Sequence, residues 1–269
     1  MEPFVRAVLY LEAADLPALS PWHDAAEAAL LPMVQPPAAP AVKREVTGFV
    51  RAADGSGGPI GGAVWADHLV PDLDQLQTIW SYGDARPHGP VEHVDVRVFR
   101  TGGGFLWLDL LAGLTGPAAL PAVCTAMIGV LQATGAQADP IYGEILVDRE
   151  PQSPQTALDR VLRRIGEDSL EAGRRFLRGY EWVTVCPSDL AKALGGAGAL
   201  RATGAFAEIT ELGTGGLLLR ATDDPAGWTE EAARRVFDAV RPVLPPGRPR
   251  PLEFETITNV VMTDAHPGS

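Results

Sequence analysis

The chain has 269 residues, of which 46% are hydrophobic and 21% charged, a composition that supports one large core or two ordinary ones and excludes a disordered protein. A formal net charge of −12 argues against nucleic-acid binding, which needs clustered basic residues. The N-terminal sequence does not read as a signal peptide, and we identify no apolar stretch long enough to cross a bilayer. These features predict a cytoplasmic protein with no membrane partner.

The N-terminal half is predicted to follow the order strand, helix, strand, strand, helix, strand. Alternation of apolar residues predicts the strands, and a period near 3.6 predicts the helices. The predicted elements are strand Phe4–Leu11, helix Ser20–Val34, hairpin strands Glu92–Arg100 and Phe105–Leu111, helix Pro117–Thr134 and strand Ile141–Val147. This is the βαββαβ order of a ferredoxin-like unit, assigned to residues 1–150.

An insertion interrupts this unit at about residues 35–91, between its first helix and its second strand. Within it we predict a strand at Glu45–Ala52, a glycine-rich loop at Gly55–Gly62 and a helix at Asp72–Ser81. Insertions of this length usually carry function or decorate the fold.

The C-terminal half is predicted to repeat the same order. Residues 151–179 are predicted as a connecting helix that breaks at Gly166, and residues 180–269 as a second ferredoxin-like unit. The second unit comprises strand Tyr180–Cys186, a short helix with Ser188 as N-cap, hairpin strands Phe206–Leu212 and Leu217–Thr222, a helix through WTEEAARRVFDAVRPVL and a last strand Leu252–Val261. The predicted fold is therefore α+β, with two tandem ferredoxin-like units, mostly antiparallel sheets and a pseudo-two-fold repeat.

In a ferredoxin-like unit the helices cover one face of the sheet and leave the other open. Alternation along the N-terminal strands places polar and aromatic residues on this open face: Arg6, Tyr10, His93, Asp95, Arg97, Trp107, Asp109, Tyr142 and Glu144. If Phe99 lies opposite Phe105, then Arg97 faces Trp107 and Asp95 faces Asp109, a like-charge pair that would need a cation or a shared proton. In the second unit the same reasoning sets Glu208 against Arg220.

Three arrangements would account for the open-face cluster. The first is a salt-bridge network. The second is a ligand pocket in which Asp95 or Asp109 acts as the base, His93 assists, and Arg6 or Arg97 holds an anionic group, with Tyr10, Trp107, Tyr142 and Glu144 as further ligand-binding residues. The third is a divalent metal held by His93, Asp95, Asp109 and Glu144. We favour the network, and we predict no cofactor, because the glycine-rich runs lack the spacing of a phosphate-binding loop.

Two short sequence motifs in the C-terminal half resemble motifs of a known family. The motifs are Gly179-Tyr180-Glu181-Trp182 and Val243-Leu244-Pro245. Over Thr156–Pro251 the chain resembles the type VI secretion immunity proteins, a family of otherwise unknown function. The resemblance implies a cytoplasmic, non-catalytic protein that neutralises a toxin by binding, here with an acidic surface for the partner. The alternative is a cofactor-independent enzyme of bacterial small-molecule (specialised) metabolism that uses the N-terminal polar face as a cavity for a small-molecule ligand.

Overall fold

The computed structural model describes residues 3–51, 56–62, 64–82, 87–147, 154–252 and 257–267. These residues form ten strands and seven α-helices, which confirms a mixed α+β fold, and the strand pairs are antiparallel. The chain divides into two compact units, one of residues 1–138 and 147–149, the other of residues 139–146 and 150–269.

The first unit is a six-stranded layer with two helices. Its elements are β1 (Phe4–Glu12), α1 (Leu19–Val34), β2 (Lys43–Arg51), β3 (Gly57–Gly62), β4 (Leu73–Ser81), β5 (Val91–Arg100), β6 (Phe105–Leu114) and α2 (Leu120–Gly135). The strand order is β3-β2-β4-β5-β6-β1. The helices pack on each other, with α1 against β5 and α2 against β1. The order β5-β6-β1 is the one that the second, third and first strands take in a ferredoxin-like unit.

The insertion extends this layer by three strands, and two predictions made for it are wrong. Most of the segment predicted as a helix at Asp72–Ser81 is strand β4, and residues Gly57–Gly62 of the predicted glycine loop form strand β3. An irregularity in the pairing of β2 at Phe49/Val50 accounts for the first error. It leaves Leu73 and Leu76 both buried although they are three residues apart, a spacing that imitates a helix.

The helical segment Pro117–Gly135 is long and apolar enough to span a membrane by length and composition, contrary to the sequence-based expectation. Its residues Val123, Met127 and Leu131 are fully buried within the first unit. A core helix of a folded unit can have the same length and the same apolar composition as a membrane span.

The second unit contains four strands and five short helices among its described residues. They are β7 (Tyr142–Val147), α3 (Ala157–Val161), α4 (Gly166–Glu171), β8 (Val183–Cys186), α5 (Ser188–Ala193), α6 (Gly196–Ala202), β9 (Glu208–Glu211), β10 (Leu217–Arg220) and α7 (Glu230–Val240). The strand order is β7-β8-β10-β9, so β7 lies beside β8, where a ferredoxin-like unit has its fourth strand. Part of the predicted last strand, residues 253–256, lies outside the described residues.

Two local predictions in this unit differ from the structure. The predicted connecting helix is two helices, and the chain turns at Arg163, which has a left-handed φ of 56°, whereas Gly166 is the first residue of α4. Ser188 is the first residue of α5 and not its N-cap, since the preceding Pro187 has the extended backbone of the N-cap position; the Ser188 hydroxyl donates to Asp139 Oδ2 at 2.6 Å. The predicted pair of Glu208 and Arg220 is confirmed, with 2.8 Å between Oε2 and Nη2.

Candidate functional site

The strand register brings the predicted residues of the first unit onto one face. Directly opposed residues of antiparallel strands share a face, so each row across the strands can be followed from the pairings. Three rows run Gln75–Phe99–Trp107–Tyr10, Gln77–Arg97–Asp109–Val8 and Ile79–Asp95–Leu111–Arg6. The alternate residues, such as Val96 and Leu110, point to the opposite face and are fully buried.

The predicted hairpin register is wrong by two residues. Phe99 lies opposite Trp107, so Arg97 faces Asp109 and Asp95 faces Leu111. The turn explains the shift: Gly104, with φ of 79°, closes a tight loop in which Thr101 N–H donates to the Phe105 carbonyl at 2.9 Å. The like-charge pair of aspartates is therefore replaced by an opposite-charge pair.

Asp109 is a fully buried carboxylate held by two guanidinium groups. Arg6 forms a bidentate pair with it, from Nε to Oδ1 and from Nη2 to Oδ2 at 2.6 Å. Arg97 Nη2 also lies 2.8 Å from Oδ2. Bidentate pairing to arginine is the strongest form of charge-assisted hydrogen bonding, and it leaves Asp109 tied into an ion-pair network.

Asp95 is less tightly held and is 8% exposed. Gln77 Nε2 donates to its Oδ1 at 2.9 Å, and Arg97 Nε lies 3.4 Å from Oδ2. Burial raises the pKa of Asp95, while Arg97 and Gln77 act in the opposite direction. His93, the predicted assisting base, faces Gly113 across the strands and its ring covers that glycine, where an added Cβ would come within 2.4 Å.

The aromatic residues of the face stack on one another. The centre of the Trp107 ring lies 6.3 Å from that of Tyr10 and 5.2 Å from that of Phe99. The guanidinium carbon of Arg97 lies 6.0 Å from the centre of the Phe99 ring. The predicted contact of Arg97 with the Trp107 ring is thus replaced by one with Phe99. Within the described part of the chain, no group of three or more His, Cys, Asp or Glu residues is arranged to hold a metal ion, so the metal interpretation gains no support.

Tyr142 and Glu144 belong to the second unit, where they form a cluster with residues that the sequence analysis did not select. The Tyr142 hydroxyl donates to Glu144 Oε2 at 2.8 Å. Burial, together with the nearby Glu181 carboxylate, raises the pKa of Glu144 to about 8. Glu181 in turn accepts a hydrogen bond from Trp228 Nε1 at 3.2 Å.

Arg178 is the cationic member of this cluster and is completely buried. Its Nε donates to Ser169 Oγ, and its Nη2 donates to Asp159 Oδ2, both at 3.1 Å. Asp159 also completes a capping box with Thr156 at the start of α3. The guanidinium lies 5.8 Å from the centre of the Tyr142 ring. The cluster therefore ties β7, α3 and α4 together.

The two motifs that carry the family resemblance contribute to the packing of the second unit. A Cβ on Gly179 would lie 2.8 Å from Tyr142 Oη. Tyr180 Oη accepts from the Val261 N–H, and the Val243 carbonyl accepts from the Leu177 N–H, both at 2.8 Å. The signal that could have revealed the cluster was the charged pair Arg178 and Glu181 within an otherwise apolar stretch.

A small apolar depression in the second unit has a volume of about 10 Å³, room for about one water molecule. It is lined mainly by Leu158, Leu162, Phe237, Leu244 and Pro245. None of the predicted site residues lines it.

Comparison with known proteins gives a likeness of fold. No protein-family model matches the chain, and no curated protein matches it. Among solved structures, the chain is similar to Pseudomonas aeruginosa T6SS protein PA0821, with a TM-score of 0.55 and 14% sequence identity over 98% of this chain and 80% of that one. A likeness at this identity shows a shared fold and no more.

Proposed function

We propose that this chain is an immunity-like binding protein that acts without catalysis in the cytoplasm and neutralises a toxin by forming a complex with it. Each unit would then be a variant of the ferredoxin-like plan, the first enlarged by its insertion. Support comes from the two sequence motifs of the second unit and from the fold shared with a T6SS protein.

The state of Asp109 is the observation that carries this proposal. A general base must reach the proton that it abstracts, and it must have a free lone pair to accept it. Asp109 is completely buried, and Arg6 and Arg97 occupy its oxygens. The best-formed part of the predicted site therefore has the character of a structural network.

Charge favours a protein partner of opposite sign. The net charge of −12 would accelerate encounter with a basic protein and would repel nucleic acid. The expected partner is thus a basic toxin, and complementary charge would raise the rate of association more than the affinity itself.

Coexpression with neighbouring genes tests the proposal. Each neighbouring open reading frame is expressed from an inducible promoter in a laboratory bacterial host, alone and with this chain. We expect one product to arrest growth, the chain to restore growth, and the two proteins to form a complex in size-exclusion chromatography. The variant Asp95→Asn serves as the control, because a non-catalytic protein should protect as well as the wild type. Failure of the chain to protect against any neighbouring product would refute the proposal.

One observation favours the enzymatic alternative. Asp95 has a raised pKa, and the side chain of its neighbour Arg97 remains 24% exposed, so an acid or base and an anion-binding group lie together. If the alternative holds, a bacterial metabolite extract incubated with the wild type should lose a compound, detected by mass spectrometry, that it retains with Asp95→Asn.

A further inference from the structure

We infer that residues 64–70 form a lid on the first unit, which is closed while His23 is neutral and opens in acid, when His23 takes up a proton. The lid belongs to the insertion, lies between β3 and β4, and contains the 3₁₀ turn Trp65–His68. Its movement is local, leaves the helices and the sheet of the unit folded, and is independent of the proposed function.

One side chain, that of Trp65, anchors the lid to the unit. Trp65 is 4% exposed, whereas Val64 and Val70 at the two ends of the lid are 52% and 36% exposed. Ala66 and Asp67, which follow the anchor, are exposed as well. The lid therefore buries one large ring and leaves most of its other side chains in water.

The backbone hydrogen bonds of residues 64–70, within the described part of the chain, lie inside the lid or next to it. The Val70 N–H, for example, donates to the His68 carbonyl at 3.0 Å. The chain is fixed again just beyond the lid, where Arg100 Nη2 donates to the Pro71 carbonyl at 2.7 Å. Segments with few buried side chains and few bonds to the rest of a structure open at a low cost in free energy. Withdrawal of Trp65 would thus free the lid up to Pro71 and leave the strand pairings intact.

The anchor lies against His23, a buried residue of α1 that is 9% exposed. The two rings are stacked, with their centres 4.7 Å apart and 17° between their planes, and Trp80 of β4 meets the His23 ring edge-on at 5.8 Å. Trp65 Nε1 is buried and has no hydrogen-bond partner among the residues that the structure describes. Opening of the lid would return the imidazole and this indole N–H to water.

The closed lid opposes protonation of His23. Burial lowers the pKa of His23, and Arg44 on β2 acts in the same direction, while Glu27 and Asp24 on α1 act against it. With the lid open, the imidazole regains its water and its ordinary pKa of about 6.5. The open form therefore binds the proton more tightly than the closed form. Acid favours the open form by up to about tenfold for each pH unit below 6.5, until the closed form is protonated as well.

Other charged groups near α1 are few. The lid adds Asp67 and His68, and the turn Ala13–Ala18 before α1 adds Asp15. Helix α2, which packs on α1, contains no acidic or basic residue, and β4 and β5 meet α1 with side chains such as Trp80 and Val94, which are uncharged. One effect opposes opening, because a charged His23 would gain a cation–π contact with the Trp65 ring. That contact would hold the lid closed in acid, so the direction of the pH response decides between the two effects.

Fluorine NMR of the full chain labelled with 5-fluorotryptophan measures the movement. Trp65→Phe identifies the signal of Trp65, and the difference in chemical shift of that signal between light and heavy water reports its exposure. We expect this difference to grow by about threefold or more between pH 7.5 and pH 5, while the other tryptophan signals keep theirs. His23→Phe retains a ring for the stack but takes up no proton, so its lid should stay closed at pH 5. The matched control is His68→Gln, which removes the histidine of the lid itself and should respond as the wild type does.

Each outcome supports or overturns the lid. A Trp65 signal that ignores pH, or that becomes less exposed in acid, would overturn the inference, and so would an unchanged response in His23→Phe. A simultaneous change of all tryptophan signals would show unfolding of the whole chain and would overturn it too. If His23→Phe does not fold, Glu27→Gln decides: it removes an acid that favours the charged imidazole, so the pH of half-opening should fall. An unchanged or higher pH of half-opening in that variant would contradict the role of His23.

Discussion

The buried carboxyl of Glu144 makes a specific prediction about stability and pH. Because the side chain is buried and the Glu181 carboxylate lies nearby, its pKa in the folded protein is raised from 4.5 to about 8. The folded state therefore holds the proton more tightly than the unfolded state does. Stability from this group is fully present below about pH 4.5, falls as the pH rises towards 8, and is lost above it.

The magnitude follows from the size of that shift. A change of one pKa unit corresponds to about 1.4 kcal/mol, so the full difference amounts to roughly 5 kcal/mol, of which roughly 4 kcal/mol falls between pH 5 and pH 9. Glu144→Gln keeps the size of the side chain and an oxygen that can accept from Tyr142, but it cannot ionise. Its free energy of unfolding should lack this part of the pH dependence.

Urea unfolding followed by tryptophan fluorescence at several pH values measures both proteins. We expect the variant to exceed the wild type in stability at pH 9 and to lose that advantage towards pH 5. The comparison cancels the contributions of titrating groups that do not interact with Glu144, while the pair of Glu144 and Glu181 titrates as a unit. A difference between wild type and variant that is constant with pH, or that grows as the pH falls, would refute the assignment of the proton to Glu144.

Three further predictions concern other buried groups. Asp109→Asn should cost about 3 kcal/mol in unfolding free energy because it leaves the buried Arg6 without its counterion, whereas Glu208→Gln at an exposed pair should cost less than about 1 kcal/mol; equal costs would contradict the network. Burial lowers the pKa of His23, which stacks on Trp65 at 4.7 Å, so stability should fall as the pH drops below about 6.5, and His23→Phe should remove that dependence in thermal unfolding. Burial raises the pKa of Cys186 to about 12, so native protein should not react with a thiol reagent at pH 8 until urea unfolds it; rapid labelling would contradict this.

Side-chain alternation predicted which residues share a face, since it depends only on the local geometry of a strand. Arg6, Asp95, Arg97 and Asp109 meet on one face of the first unit as expected. The pairing partners could not be predicted in the same way, because a single left-handed glycine, Gly104, moved the hairpin register by two residues. That shift converts an apparent clash of aspartates into a satisfied ion pair.

Long-range contacts explain the remaining differences. Nothing near Glu144 in the sequence indicates that Glu181 and Arg178 will lie beside it, because these contacts join residues more than 30 positions apart. Strand β4 was mistaken for a helix because the pairing irregularity in β2 alters the spacing of its buried residues. In both cases the deciding interaction involves a partner strand or helix that the local pattern does not describe.

The absence of a side chain at Gly179 has a consequence for comparing this chain with others. Because a side chain at this position would meet the Tyr142 hydroxyl, the motif Gly179-Tyr180-Glu181-Trp182 reflects the packing of the interior. Proteins that share this motif would have the same core packing here, while their solvent-exposed residues could differ. Similarity in such motifs therefore indicates a shared fold. The binding partner has to be inferred from the solvent-exposed residues of the strands.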